Sequence, residues 1–203
     1  FVLDIVAMTF GNPRVLFPAI GAVLIGGGAV TVGILSSAGA VGMLVLGLLS
    51  GKVSAVRAHG VGMVVAVAAY GASILLLGVL LAVTAVVPHD VGTDIAQANL
   101  VALVIAALLL AVSGAADTVS MIYRTTMLQA AVPDAMRGRL QGLFTVVVNG
   151  GPRVGDLYIG VLSFTAVLWF PPLLGGLIII VVSAMFLRIY RSLREYDALD
   201  PRP

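Results

Sequence analysis

The sequence contains no cysteine, two histidines and a single tryptophan. Disulfides and thiolate metal sites are excluded, and the redox compartment is left open. His59 and His89 fall in separate loops and read as solvated residues rather than metal ligands. Charge is also scarce: 10% of residues are Asp, Glu, Lys or Arg against 61% hydrophobic, and the mean hydropathy is +1.17. No HExxH, GxSxG, Walker-type glycine loop or His/Cys cluster occurs, so the nucleophile–base or metal constellation of an intramembrane enzyme is missing. Alternating apolar–polar runs are missing too, which argues against a transmembrane β-barrel. The chain opens at Phe1 in apolar sequence without a basic n-region or small-residue cleavage site. That is not a signal peptide; it reads as a chain lacking its N-terminal part.

What the sequence does have is long continuous apolar runs, and a run of about 20 residues spans a bilayer. The expected fold is an all-α integral membrane protein, a six-transmembrane-helix bundle over residues 1–187 followed by a cytoplasmic C-terminal tail, 188–203. The spans fall at approximately 1–25, 29–49, 61–87, 99–128, 140–168 and 173–187. The first contains Pro13 and Pro18 and should kink or break near Asn12-Pro13, because proline lacks the N–H and clashes with the preceding turn. Gly26-Gly27-Gly28 makes the first turn. The second span is rich in Gly, Ala and Ser, which let helix backbones approach closely in lipid. Asn149-Gly150-Gly151-Pro152 is expected to interrupt the fifth span, and Trp169-Phe170-Pro171-Pro172 to form an interfacial turn.

Six spans put both ends on one side. Lys52, Arg57, Arg137 and Arg139 of the loops and Arg188, Arg191, Arg194 and Arg202 of the tail all fall there, while the opposite loops hold only Asp90, Asp94 and His89. The positive-inside rule makes the basic side cytoplasmic, and the location is the cell (inner or plasma) membrane.

Ionisable groups at bilayer depth cost several kcal/mol each and normally face a bundle interior or a water-filled path. Three spans carry them: Asp4 and Arg14 on the first, Asp117 and Arg124 on the fourth, Arg153 and Asp156 on the fifth. The third and sixth carry none and are expected to face lipid. At ~1.5 Å of rise per residue, two polar layers result: an outer one of Arg14, Arg153 and Asp156, and an inner one of Asp4, Asp117 and Arg124. With Asn149, these are the candidates for the proton-coupling and substrate path. Burial and a neighbouring arginine pull a carboxylate's protonation in opposite directions, so an acid whose arginine contact changes between conformations is the natural coupling group. Asp156 ranks first on expected burial and Asp117 second. The charged turn Pro133–Arg139 supplies cytoplasmic gating candidates: Asp134, placed to cap the fifth span, with Arg137 and Arg139. The alternative for every charge is a neutralised ion pair that merely holds helices in register.

Several stretches carry a family likeness: Phe10-Gly11-Asn12-Pro13-Arg14-Val15-Leu16-Phe17-Pro18, Gly114-Ala115-Ala116-Asp117, Tyr123-Arg124-Thr125-Thr126-Met127-Leu128-Gln129, Pro133 through Gly142, and Gly150-Gly151-Pro152-Arg153-Val154-Gly155-Asp156. On these the chain resembles the C-terminal six-helix half of a major facilitator superfamily transporter, in particular the bacterial enterobactin-exporter-like group. Asn12 stands where that group usually has Met, and His59 where arginine is common. The resemblance implies that the charged spans are the cavity-lining seventh, tenth and eleventh helices of that fold. The expected function is secondary active transport without a cofactor: proton-coupled export of a siderophore-like or drug-like molecule by alternating access against a missing N-terminal half. A non-transporting six-helix scaffold is the rival.

Overall fold

The computed structural model describes residues 2–51, 59–87, 92, 94–131, 134–163 and 167–189. The described residues are helical throughout their long elements and contain no strand. Uninterrupted apolar sequence explains this: in a helix every backbone polar group is satisfied within the segment, the condition a bilayer imposes.

Helix α1, Val2–Phe10, stops where Gly11 and Asn12 precede Pro13. The chain continues as a 3₁₀ turn, Pro13–Leu16, a single turn at Phe17–Ala19 and a π-helical stretch, Ile20–Leu24. The break expected at Asn12-Pro13 is present. Gly26, Gly27 and Gly28 all have positive φ, of 85°, 78° and 49°. The turn they form is tied down by Gly27 N–H donating to the Gly92 carbonyl at 2.9 Å and Asn99 N–H donating to the Ile25 carbonyl at 2.8 Å.

Five long helices follow: α2, Gly28–Leu48; α3, His59–Val86; α4, Leu100–Ala131; α5, Asp134–Ser163; and α6, Phe170–Ile189. Among the described residues four stretches are long and apolar enough to cross a membrane: Gly28–Leu48, Gly60–Val86, Leu100–Met127 and Phe170–Ile189. The broken first segment and the more polar α5 are not among them. Two features of α5 depart from expectation. The charged stretch 134–139 is the helix's first turns rather than a separate turn, and the helix runs through Asn149–Pro152 without interruption. The glycines there serve as contact surface: a Cβ on Gly151 would lie 2.9 Å from Met8 Cβ, and one on Gly155 2.7 Å from the Thr9 carbonyl oxygen.

The third span was expected to face lipid; α3 is instead the most enclosed of the four, with 50% of its apolar window buried against 22% for α2. It packs along both α4 and α6, whereas α2 lies along α4, and α1 lies along α5 and α6. Lipid tails are as apolar as a helix interior, so an aliphatic sequence does not distinguish a lipid-facing helix from a central one. The small residues of α2 do what their size permits. Any Cβ on Gly42 would overlap the Ala111 carbonyl, and one on Gly114 the Gly39 carbonyl. The α2–α4 crossing is a backbone-to-backbone contact.

Two apolar clusters fill the bundle. One joins Leu16, Phe17, Ile20 and Leu24 to Leu77, Leu81, Leu103 and Leu110. The other joins Leu3 and Ala7 to Val64, Val67, Tyr123 and Ile179. On α3 and α4 the stretch between these clusters holds Tyr70, Ser73, Ser113, Asp117 and Ser120, and the candidate site lies there.

Candidate functional site

The site starts from the break in the first segment. Gly11 N–H still donates to the Ala7 carbonyl at 2.9 Å, closing the last turn of α1. Asn12 is extended, with φ −101° and ψ 91°, and Pro13 opens the 3₁₀ turn. The Gly11 carbonyl is taken up from the side: the Tyr70 hydroxyl on α3 donates to it at 2.5 Å. Only glycine fits at position 11, because a Cβ there would overlap the Tyr70 ring. Unwound backbone in an apolar setting is tolerated where it is buried in protein or lines a cavity; Gly11 and Pro13 are buried, and the segment lines a cavity.

A cavity of about 290 Å³ opens beside the break. Asn12 and Arg14 of the unwound segment, Tyr70 of α3, and Ser113 and Asp117 of α4 give it polar groups, and Met8, Phe17, Leu35 and Met43 give it an apolar wall. Val148 and Pro152 of α5 close one side. Pro152 lacks the N–H that would otherwise close on the Val148 carbonyl, so both proline positions that loosen backbone hydrogen bonding adjoin this space. Apolar walls with a few convergent polar groups are the usual make-up of a small-molecule site. Arg14 and Asp117 are its two charged lining residues, and neither forms an ion pair among the described residues.

Below the cavity, Arg124 of α4 pairs with Asp4 of α1, and both are nearly enclosed, at 8% and 2% exposure. The Arg124 guanidinium also lies over the Phe144 ring of α5, 5.5 Å from its centroid. Arg124 thereby ties three helices together, while its Nε has no hydrogen-bond partner among the described residues. Asp4, Arg124, Tyr70, Ser120 and Asp117 line one small pocket, and Asp117 and Tyr70 line the larger cavity as well. Asp117 is therefore the acid between the neutralised pair and the open space.

Of the residues singled out from sequence, Asp4, Asp117 and Arg124 come together as a polar layer. Arg14, Arg153 and Asp156 do not form a second one. Arg14 lines the cavity, whereas Arg153 lies on the outer side of α5 with its side chain 85% exposed, 3.8 Å from Asp156. Asp156, ranked first on expected burial, is 32% exposed and half-buried like Asp117, whereas the unranked Asp4 is the enclosed acid at 2%. Each sequence-neighbour pairing assumes that charges on one helix meet; the closest ion pair instead joins α1 to α4, since helix register, not spacing, sets which charges face one another. The Asn149 amide, exposed, donates to the Thr145 carbonyl at 2.8 Å and does not line the cavity. Arg139 is exposed, and the side chains of Asp134 and Arg137 lie outside the described residues. So do Lys52, Arg57, the His59 side chain, His89, Asp90 and the tail from 190 onward.

The residues missed from sequence are Tyr70, Ser113 and Ser120. Tyr70 had a signal, as the single aromatic residue in an otherwise aliphatic 61–87. The serines had none, since each occupies a place that alanine fills elsewhere on the same helix. No protein-family model, curated protein or solved structure matches the chain.

Proposed function

We propose that the chain is one half of a secondary active transporter of the major facilitator type, embedded in the cell membrane and exporting a small organic molecule in exchange for protons. The observation that carries this reading is Asp117: a carboxylate on the wall of a cavity, in an apolar helix, beside a broken helix and a buried ion pair. An intramembrane acid is costly, and Asp117 has no ion pair of its own among the described residues. In the proposed cycle Asp117 holds the coupling proton. Asp4, Arg124, Tyr70 and Arg14 are the ionisable groups around it. Arg124 lies seven residues, two helical turns, beyond Asp117 on α4. A shift of α1 that draws Asp4 away would free Arg124 to face Asp117 and expel the proton. Transport by alternating access then amounts to rocking around a site at a helix break.

The proposal counts six spans, the broken first segment and α5 among them, with both ends cytoplasmic as the basic loops indicate. A partner body follows from α5, whose Arg139, Gln141, Thr145, Asn149 and Arg153 are all exposed. Such a face does not suit lipid; a water path shared with a second six-helix half does. The second reading, a scaffold, draws on the Asp4–Arg124 pair, which is neutralised and buried as a structural pair would be.

Everted membrane vesicles separate the two. Respiration acidifies the lumen, acridine orange reports the gradient, and ethidium and 2,3-dihydroxybenzoate serve as drug-like and catechol probes. Antiport by the full-length protein should collapse the gradient on addition of a transported probe. Asp117→Asn should abolish proton-driven uptake yet retain probe exchange without a gradient. Normal gradient-driven transport in Asp4→Asn, Asp117→Asn and Asp156→Asn would leave the carboxylates structural and refute the coupling scheme.

A further inference from the structure

We propose that the cavity takes a small zwitterion with an apolar side group, its ammonium on Asp117 and its carboxylate on Arg14. This rests on the reading of the cavity as the transported molecule's site, and it narrows the chemistry of that molecule. The two charged lining residues are of opposite sign and stand on different elements, Arg14 on the 3₁₀ turn after Pro13 and Asp117 on α4. Neither is neutralised by an ion pair among the described residues, unlike Asp4 and Arg124 immediately below. The region holds two acids and two arginines and so sums to zero, with one pair closed and the other open.

That balance selects among ligands. Arg14 is exposed and Asp117 half-buried, and partly buried charges a few ångströms apart attract or repel more strongly than they do in bulk water. A purely cationic ligand would satisfy Asp117 but add an uncompensated charge facing Arg14 and, further off, Arg124. An anion would satisfy Arg14 and oppose Asp117 and Asp4. A molecule with both charges and no net charge completes both contacts and leaves the region neutral. Met8, Phe17, Leu35 and Met43 then receive its side group, and the Asn12 amide and Ser113 hydroxyl are at hand for the polar backbone between the charges. The volume of about 290 Å³ suits a molecule the size of a large amino acid, near the lower limit of typical ligand sites at roughly 300 Å³.

The test is equilibrium binding to the full-length protein in lipid nanodiscs, by calorimetry, with phenylalanine and leucine and two derivatives of each: the methyl ester, which keeps the ammonium alone, and the N-acetyl form, which keeps the carboxylate alone. At least one free amino acid should bind tenfold or more tightly than both its derivatives. Asp117→Asn should erase the preference over the N-acetyl form, and Arg14→Gln the preference over the ester. Asp117→Glu should retain the wild-type order, which separates lost charge from lost folding. Equal or tighter binding of an ester, or no saturable binding of either amino acid, overturns the proposal. Zwitterion binding with these signatures in a protein whose vesicles do not exchange that amino acid for protons would sustain the site and sink the transport reading. Ethidium export without zwitterion binding would do the reverse.

Discussion

The Asp4–Arg124 pair makes an asymmetric prediction about stability. Removing one member of a buried pair strands the other and costs about 3–5 kcal/mol. The two single removals differ here because Asp117 and Phe144 adjoin the pair. In Asp4→Asn the guanidinium keeps the Phe144 ring, a contact of about 0.5–2 kcal/mol, and has Asp117 in the same pocket as a substitute anion. The loss should fall at the low end, about 3 kcal/mol. In Arg124→Gln two acids are left in one pocket without the arginine that lines it, and the loss should reach the upper end, about 5 kcal/mol. For a chain of this size, roughly 2–4 °C of Tm accompanies each kcal/mol. Asp4→Asn should then melt about 6–12 °C below the wild type, and Arg124→Gln lower still. Replacing both by apolar residues, Asp4→Leu with Arg124→Met, should recover most of the loss, because well-packed apolar substitutes for a buried pair are often neutral. The assay is thermal unfolding of the purified protein in one fixed detergent–lipid mixture, followed by helical circular dichroism. Single losses under about 1 kcal/mol that add in the double variant would show that the pair holds nothing together.

Tyr70→Phe removes the donor to the Gly11 carbonyl and should cost about 1 kcal/mol, read as a Tm a few degrees lower; an unchanged Tm would mean the break is held by other contacts. Gly42→Leu and Gly114→Val drive side chains into a facing backbone carbonyl and should cost upward of about 1–3 kcal/mol, while Gly33→Ala, with open space around its Cβ, should stay within about 0.5 kcal/mol. Equal effects at the three sites would refute the α2–α4 crossing. For topology, single cysteines at Ser54 and Ala135 should resist an impermeant thiol reagent added to intact cells and one at Thr93 should react; the opposite pattern overturns the orientation.

The features legible in the sequence were those fixed by local backbone chemistry. Pro13 after Asn12 announced the break in the first segment, and three successive glycines announced the turn before α2. The charged residues of the site were legible too, because Asp4, Asp117 and Arg124 stand out against apolar neighbours. Burial was not legible. Aliphatic α3 sits between α4 and α6 although nothing in its composition separates it from a lipid-facing helix, and this concealed Tyr70. Gly150-Gly151-Pro152 misled for a related reason: small residues break helices when solvent competes for the backbone, but between packed helices they serve as contact surface, as Gly151 and Gly155 do against α1. The stretch 134–139 misled through its charge, since Arg, Met and Ala are also strong helix formers.

Helix α5 connects the parts of the site. Phe144 sits under Arg124, Val148 and Pro152 line the cavity, and on α1 Gly151 meets Met8 while Gly155 meets Met8 and Thr9. These positions recur at three- and four-residue spacing, so they form one helical face. The glycine contacts let α1 and α5 touch without interlocking side chains, and a contact of that kind resists sliding less than one built from interdigitated side chains. A small displacement of α5 against α1 would therefore reach the cation–π contact, the cavity wall and the helix break at once. The next face of the same helix carries Gln141, Thr145, Asn149 and Arg153, all exposed. Whatever covers that face thus bears on a helix that touches Arg124, the cavity wall and α1, as the proposed rocking against a second half requires.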